Sequence, residues 1–438
     1  MPINEGIQAS LAYIDENLKA TLTIDEPANM AGYSAWHYGR LFAQTTGMTV
    51  AYYICKRRID GAFADIADGA KAIDTVLAYG FDTYAGFYKA FVRMYGCSPK
   101  QYLALYGKRL STASGGIYMA TERQLRTALA HWDVPQDLPL GDIYIMDGSK
   151  VSGNVWTLGE DYILKAGERH RLLKDLHLQQ ALARQGFTTA APVTTRSGEA
   201  YAAIDADSIA VLMNKTPGAP LGKTERFGAD RRDYGFKYGV SIAKLHRALA
   251  DVEADIQPDE ANLYQNITEW ALPEVKKQNQ RYGLGLTDGF FKNYIEQFGS
   301  VFDALPKQLI HRDPNPSNIL FDGGEVSGFI DFDLSERSLR LWDPCYCATG
   351  ILSEWRGVED IHEKWPEMLA GILHGYDSVN PLTDKEKQAV FHVICSIEMI
   401  CVAYFEHQDA DGFAQLAQTN REMFTYVAEK EAFIRGIF

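Results

Sequence analysis

His311-Arg312-Asp313-Pro314-Asn315-Pro316-Ser317-Asn318, followed by Ile330-Asp331-Phe332-Asp333, supplies an acid, an amide and a second acid at the spacing that phosphoryl transfer needs. A hydroxyl nucleophile needs a carboxylate to orient it and take its proton. A nucleotide needs magnesium, and magnesium prefers hard oxygen ligands. Asp313 suits the first role; Asn318 and Asp331 suit the second as metal ligands. Apolar runs on both sides (Leu309-Ile310, Ile319-Leu320-Phe321, Gly328-Phe329-Ile330) predict short strands that hold these groups rigidly. His311 is expected to brace this loop, and Asp333 either to support Asp331 from behind or to join it at the metal.

Upstream, a helix near Glu122–Trp132 precedes three expected strands, Ile143–Met146, Val155–Leu158 and Tyr162–Lys165. The first two flank Gly148-Ser149-Lys150-Val151-Ser152-Gly153-Asn154, where small residues let backbone N–H groups approach phosphates, with Ser152 and Asn154 as candidate contacts. Ile209-Ala210-Val211-Leu212-Met213-Asn214 reads as a further strand, and Gly239 to Leu249 as a helix.

These residues resemble the aminoglycoside phosphotransferase superfamily of kinase-like small-molecule kinases, from roughly Thr121 to the C-terminus. That family usually reads His-Gly-Asp in the loop, then an Asn, then Ile-Asp-Phe/Trp; here Arg312 stands in place of the glycine. The resemblance implies Mg2+ and ATP (or GTP) as co-substrate. It implies that Lys165 holds the phosphates and pairs with an acid on the next helix, where Asp175 occupies the usual Glu position. It places adenine against backbone groups around Met213–Lys215, and makes His246, Arg340 and Asp343 structural. Beyond Trp342 the chain reads as helical, ending in one amphipathic helix near Asn420–Ile434. Ser353-Glu354-Trp355, Glu398, Tyr404-Phe405-Glu406 and Asp409 are candidates for the acceptor pocket, since acids beside aromatics suit a cationic amine.

Residues 1–106 read as nearly all helical, with two similar helix–turn–helix units. In the first, Ile24 to Met30 precedes the turn Ala31-Gly32-Tyr33, and Ser34 caps a helix running to about Thr45. In the second, Ile73, Val76 and Leu77 mark a helix, Gly80-Phe81 the turn, and Asp82 or Thr83 the cap of a helix ending near Tyr95. A helix at about Val50 to Ile66 connects them. Ala31-Gly32-Tyr33-Ser34, Arg40-Leu41-Phe42, Thr46-Gly47, Tyr53-Ile54, Arg57-Arg58-Ile59, Gly80-Phe81, Phe87, Ala90-Phe91 and Gly96-Cys97-Ser98-Pro99 resemble the AraC-type DNA-binding domain. The resemblance implies double-stranded DNA as partner, with each second helix in a major groove. Trp36, His37 and Arg40, and Tyr84, Tyr88 and Lys89, would then face bases. Lys56, Arg57, Arg58, Arg93 and Lys100 would meet phosphates, with Leu41, Phe42, Phe87 and Phe91 in the core.

Charge is unevenly divided. Residues 1–110 carry 11 Lys and Arg against 10 Asp and Glu, leaving 32 against 47 for the remainder of the 438 residues. The acidic remainder argues against nucleic acid there and suits a cationic ligand. Cys345-x-Cys347 has the wrong spacing for a zinc knuckle or a redox pair. No run of about 18 uncharged apolar residues appears, so no membrane span is expected. Met-Pro-Ile-Asn-Glu lacks the basic and apolar segments of a secretory signal, so a cytoplasmic protein is expected.

The expected fold is multidomain, α and α+β: an all-α double helix–turn–helix domain at 1–107, a linker at 108–120, then a protein-kinase-like fold. Its N-terminal lobe is expected at 121–215 and its C-terminal lobe at 216–438. The function expected is a DNA-binding regulator fused to a small-molecule kinase that moves a γ-phosphate to a substrate hydroxyl. The alternative keeps the fold as a non-catalytic ligand sensor.

Overall fold

The computed structural model describes residues 5–46, 48–67, 69–95, 99, 120, 122–143, 155–205, 208–256, 258, 260, 262–354, 358–406 and 413–438. The chain forms two compact units. Unit one holds residues 1–172, 192–213 and 407–411; unit two holds 173–191, 214–406 and 412–438.

Unit one begins with six helices: α1 Glu5–Glu16, α2 Asp25–Met30, α3 Ala35–Thr46, α4 Val50–Ala67, α5 Ala72–Ala78 and α6 Tyr84–Tyr95. Apolar residues at i, i+4 and i+7 put one stripe of each helix inside. Ile7, Leu11 and Ile14 of α1 meet Tyr38 and Phe42 of α3, Tyr53 and Phe63 of α4, and Phe87 and Phe91 of α6 in one core. Each large side chain so buried contributes about 1.5–3 kcal/mol. The two tight turns share one hydrogen-bond pattern. The Tyr33 N–H donates to Ala28 O (2.9 Å) and the Phe81 N–H to Val76 O (3.1 Å). Both need a left-handed residue, supplied by Gly32 (φ 77°) and Gly80 (φ 81°). Thr83 Oγ1 accepts from the Gly86 N–H (3.0 Å), so Thr83 caps α6, as Ser34 caps α3 through the His37 N–H (3.4 Å).

Helix α7, Glu122–Leu129, is followed by an antiparallel run of β1 Leu140–Asp142, β2 Val155–Leu158 and β3 Tyr162–Glu168. With β4 Ala202–Ala203 and β5 Ser208–Asn214 they form a five-stranded sheet in the order β1-β2-β3-β5-β4. Trp132, Trp156, Leu164 and Leu212 are buried with α7 against it. The first described strand lies at 140–142, and residues 144–146 of the expected Ile143–Met146 lie outside the described residues. Gly141 crosses Thr157 so closely that a Cβ there would come within 2.4 Å of its Oγ1. Residues 144–154, including Ser152, Asn154 and the glycine-rich stretch, lie outside the described residues, as do residues 108–119 of the linker and Gly96-Cys97-Ser98.

Unit two starts within helix α8, Arg169–Arg184. Its scaffold is α9, Arg231–Ile256, crossed by α13, Ile361–Val379, with α10 (Leu272–Tyr282), α11 (Asp288–Phe302) and α12 (Trp342–Leu352) packed in the same unit. Gly235 and Gly239 of α9 face Gly371 and Gly375 of α13 at backbone contact: a Cβ on Gly239 would stand 1.9 Å from Ile372 O. Small sheets carry the functional loops. β6 (Ala219–Pro220), β8 (Ile319–Asp322) and β9 (Glu325–Phe329) form one; β7 (Lys307–Ile310) and β10 (Glu336–Leu339) form the other. Helix α14, Asp384–Phe405, is long and apolar enough to cross a membrane, but 72% of its most apolar window is buried inside the protein. Glu398 interrupts that run in the sequence. The expected terminal helix divides into α15, Phe413–Glu429, and the short Glu431–Arg435.

Candidate functional site

The loop leaving β7 is fixed by buried hydrogen bonds. Asp343, fully buried at the start of α12, accepts from the backbone N–H of His311 (2.9 Å) and of Arg312 (3.0 Å) and pairs with His246 Nε2 (2.8 Å). His311 bonds through Nε2 to Ile330 O (3.1 Å), while its Nδ1 accepts from the Asp313 N–H (3.4 Å). With both ring nitrogens engaged by the backbone, His311 braces the loop and is not placed to take a substrate proton.

Arg312 and Asp331 both adopt left-handed backbone, at φ 76° and 68°. A non-glycine residue there costs on the order of 1 kcal/mol. Arg312 is held by its side chain: Nε sits 2.9 Å from Glu336 Oε1, and the guanidinium lies 3.5 Å from the Trp342 ring centroid. Trp342 Nε1 in turn donates to Arg312 O (3.0 Å). Those contacts let an arginine stand where the related loops use glycine.

Asp313 is half-buried and projects from this braced turn. Asn315 Nδ2 donates to its Oδ1 (3.1 Å), and Asn318 Nδ2 lies 3.2 Å from its Oδ2 and 2.9 Å from its main-chain oxygen. Asn315 also caps the single 3-10 turn Pro316–Asn318 through the Ser317 N–H (2.8 Å). Burial pushes the Asp313 carboxyl above its ordinary range. Hydrogen bonds from Asn315 and Tyr346 and the nearby His311 oppose that, while the negative charge of Asp331 adds to it. Asp331 thus stands near enough to Asp313 for their charges to interact. The two loops are also tied directly, because the Ile330 N–H donates to Asn318 O (3.0 Å).

Asn318 therefore turns its amide nitrogen to Asp313, and no hydrogen bond to its Oδ1 occurs among the described residues. An amide oxygen and the Asp331 carboxylate are hard donors, and magnesium bound with a nucleotide needs only one or two such protein ligands beside the phosphates. The donor set fits that ion. No group of three or more His, Cys, Asp or Glu placed to hold a metal occurs among the described residues.

The remaining expected nucleotide residues are spread over both units. Lys165 is half-buried on β3, in register with Val155, and Met213 is buried on β5, bridged to Pro192. In unit two, Asp175 is 3% exposed on α8, with Gln179 Nε2 donating to its Oδ1 (2.8 Å), and Lys215 is exposed.

Two residues that hydrogen-bond to Asp313 escaped the sequence reading. Asn315 lay inside the quoted motif, and an Asn two residues before a Ser is a legible turn former. Tyr346, one turn into α12, had no sequence signal at all. The acceptor-pocket expectation needs correction. Glu398 is 1% exposed and closed off from solvent; Glu354 is bound to the fully buried Arg226 (2.6 Å); Glu406 pairs with Arg281 (3.1 Å) and Arg421 (2.6 Å). None stands ready for an external amine. Trp355 and Asp409 lie outside the described residues.

On the N-terminal helices, Trp36 is 74% exposed with the Arg40 guanidinium 5.2 Å from its ring centroid, and His37 packs its ring on Tyr33 at 5.1 Å. Tyr84, Tyr88 and Lys89 are exposed on α6. Both second helices therefore present the side chains expected to face bases. The three cations of α4 expected to meet phosphates also make contacts within the domain. Arg57 is buried and paired with Asp15 (2.7 Å), Lys56 is paired with Asp60 (2.7 Å), and Arg58 donates to Leu18 O and Ala20 O. These cations hold the domain together, a distinction that local sequence does not carry. Arg93 and Lys100 have no described side chain.

Two family models match the chain. The model of the phosphotransferase enzyme family matches residues 148–387, and a helix-turn-helix domain model matches residues 28–104. Homoserine kinase of Gluconobacter oxydans is 29% identical over 238 residues, covering 52% of this chain and 70% of that protein. The HTH-type transcriptional activator AarP of Providencia stuartii is 36% identical over 97 residues, covering 22% of this chain and 72% of that protein. An aminoglycoside phosphotransferase structure from Alicyclobacillus acidocaldarius shares the fold at TM-score 0.51 and 17% identity, over 70% of this chain and 96% of that one.

Proposed function

The chain belongs to the phosphotransferase enzyme family through residues 148–387 and carries an AraC-type helix-turn-helix domain at its N-terminus, and from that premise we propose a DNA-binding regulator whose second part phosphorylates a small hydroxyl-bearing molecule. The observation that carries the proposal is Asp313. Its carboxylate is half-buried, held by Asn315 and Tyr346, and one hydrogen bond from Asn318. Asp313 orients the acceptor hydroxyl and takes its proton as a new bond forms from the hydroxyl oxygen to the γ-phosphorus and the bond to the leaving diphosphate breaks. A raised carboxyl is a stronger base than an ordinary aspartate, and its hydrogen-bond donors hold it at one orientation. Asn318 and Asp331 would hold magnesium, which supplies positive charge against the phosphates of ATP or GTP. Lys165 adds charge to the same phosphates, and backbone groups around Met213–Lys215 meet the base. Ser152 and Asn154 complete the phosphate contacts in this reading.

The likeness to homoserine kinases over half the chain supports a small amino alcohol as acceptor. Trp36, His37 and Arg40, with Tyr84, Tyr88 and Lys89, read DNA in successive major grooves, so that the ligand state of the phosphotransferase part governs a promoter. Nucleotide turnover measured across amines, amino alcohols including homoserine, and aminoglycosides tests the enzyme half. Magnesium-dependent turnover with one acceptor class, lost in Asp313→Ala, is expected. A second reading, a ligand sensor without turnover, is favoured by Asp175, a shorter carboxylate than the family's usual Glu. Ligand binding by a wild type that turns over no nucleotide would support it.

A further inference from the structure

Helix α9 uses two faces. Gly235, Tyr238, Gly239 and Ile242 point into the contact with α13 and the core. On another face, Lys237, Val240, Ser241 and Lys244 follow the i, i+3, i+4, i+7 spacing that aligns side chains along a helix. They form one wall of a cavity of about 480 Å³ that lies wholly within unit two. The opposite wall is strand β9, and the end is closed by the turn after α8. Phe187 and Phe329 meet there with ring centroids 6.0 Å apart, and Thr189 forms a parallel bridge with Phe329. The strand flooring the cavity runs directly into Ile330 and Asp331.

The cavity pairs apolar surface with unequal charges. Lys237 is committed, donating to Gly324 O (2.6 Å) and pairing with Glu325 (2.6 Å). Lys244 is exposed, and its ammonium meets no partner among the described residues. The charged lining is thus two cations against one anion, within a unit whose sequence is otherwise acidic. A volume of this size, with apolar walls and one uncommitted charge at its edge, matches the general form of small-molecule sites.

We propose that the cavity between α9, β9 and the turn after α8 binds a small amphipathic organic anion, its apolar body against Phe187, Val240 and Val326 and its acidic group on Lys244. The site is separate from the loops that carry Asp313 and Asn318, and its ligand differs in charge from the acceptor of the phosphoryl-transfer reading. It stands whether or not that reading holds.

Fluorescence titration of the full chain with anilinonaphthalene sulfonate, an aromatic anion, tests the site directly. One saturable site is expected, with the uncharged phenylnaphthylamine binding about five- to tenfold more weakly. Lys244→Glu should weaken the sulfonate by about tenfold or more, and Lys244→Arg should restore it to within about threefold. Val240→Trp, which fills the apolar wall from a half-buried position, should remove the saturable phase. Lys292→Glu, an exposed charge change on α11, should leave it unchanged, and melting curves identify any variant that fails to fold. Unsaturable binding would overturn the proposal. So would a titration unmoved by both Lys244→Glu and Val240→Trp, or one weakened equally by Lys292→Glu.

Discussion

Replacing Glu398 with glutamine should change how stability depends on pH. Glu398 sits mid-helix in α14, 1% exposed, and neither carboxyl oxygen has a hydrogen-bond partner among the described residues. Burial pushes its carboxyl up from 4.5 to about 8. The folded protein therefore keeps a proton there that the unfolded chain releases above its ordinary value. The stability this gives is fully present below about pH 4.5 and is lost as pH rises through about 8, at up to ~1.4 kcal/mol per pH unit. From about pH 6 to about pH 8 the wild type should lose roughly 2 kcal/mol that the glutamine variant, neutral throughout, does not. In a unit of this size that corresponds to roughly 4–8 °C in Tm. Scanning calorimetry of both proteins at several pH values reads the difference, and the variant should gain on the wild type as pH rises. Two Tm-against-pH curves that stay parallel would refute the reasoning, because a carboxyl already ionised or already hydrogen-bonded would give that result.

Asp313→Asn keeps the size of the side chain but turns one of the oxygens that accept from Asn315 and Asn318 into a donor, and turnover should fall roughly 10²–10⁴-fold. In the wild type, the acid limb of the rate profile should lie above the ordinary carboxylate range, since the raised Asp313 must lose its proton to act as base. Gly239→Ala forces α9 away from Ile372 O, and a loss of about 2–3 kcal/mol or more in urea unfolding is expected. Arg40→Ala should cost about 1–3 kcal/mol of specific DNA binding and relax discrimination at one base pair, read by gel shift against mutated promoter sites. A uniform loss across all sequences would assign Arg40 to the phosphate backbone instead.

What could be read before the structure follows the range over which each signal acts. The motif at 311–318 and 330–333 was legible because its residues share one loop system, and the strands around it fall where their apolar runs lie. The two helix–turn–helix units were legible for the same reason: Gly32 and Gly80 mark left-handed turns within five residues of everything they organise. Contacts between distant segments were not. Arg57 looks like any surface arginine until Asp15 is placed 2.7 Å away, and Tyr346 gains its role only when α12 folds against the loop. Glu354, Glu398 and Glu406 show the converse, acids beside aromatics that the fold commits to arginines or to the core. Gly235, Gly239, Gly371 and Gly375 carry a repeated four-residue spacing in two helices. Its meaning depends on the crossing that the folded chain reveals.

Single-turnover transfer of labelled γ-phosphate from magnesium ATP to an amino-alcohol acceptor, run in parallel on wild type and Asp313→Asn, addresses the chemistry at its source. The wild type should build up labelled phosphoester on the acceptor, and the variant should do so roughly 10²-fold or more slowly while still binding nucleotide. Equal rates in the two proteins would contradict the assignment of Asp313 and, with it, the phosphotransferase account of this site.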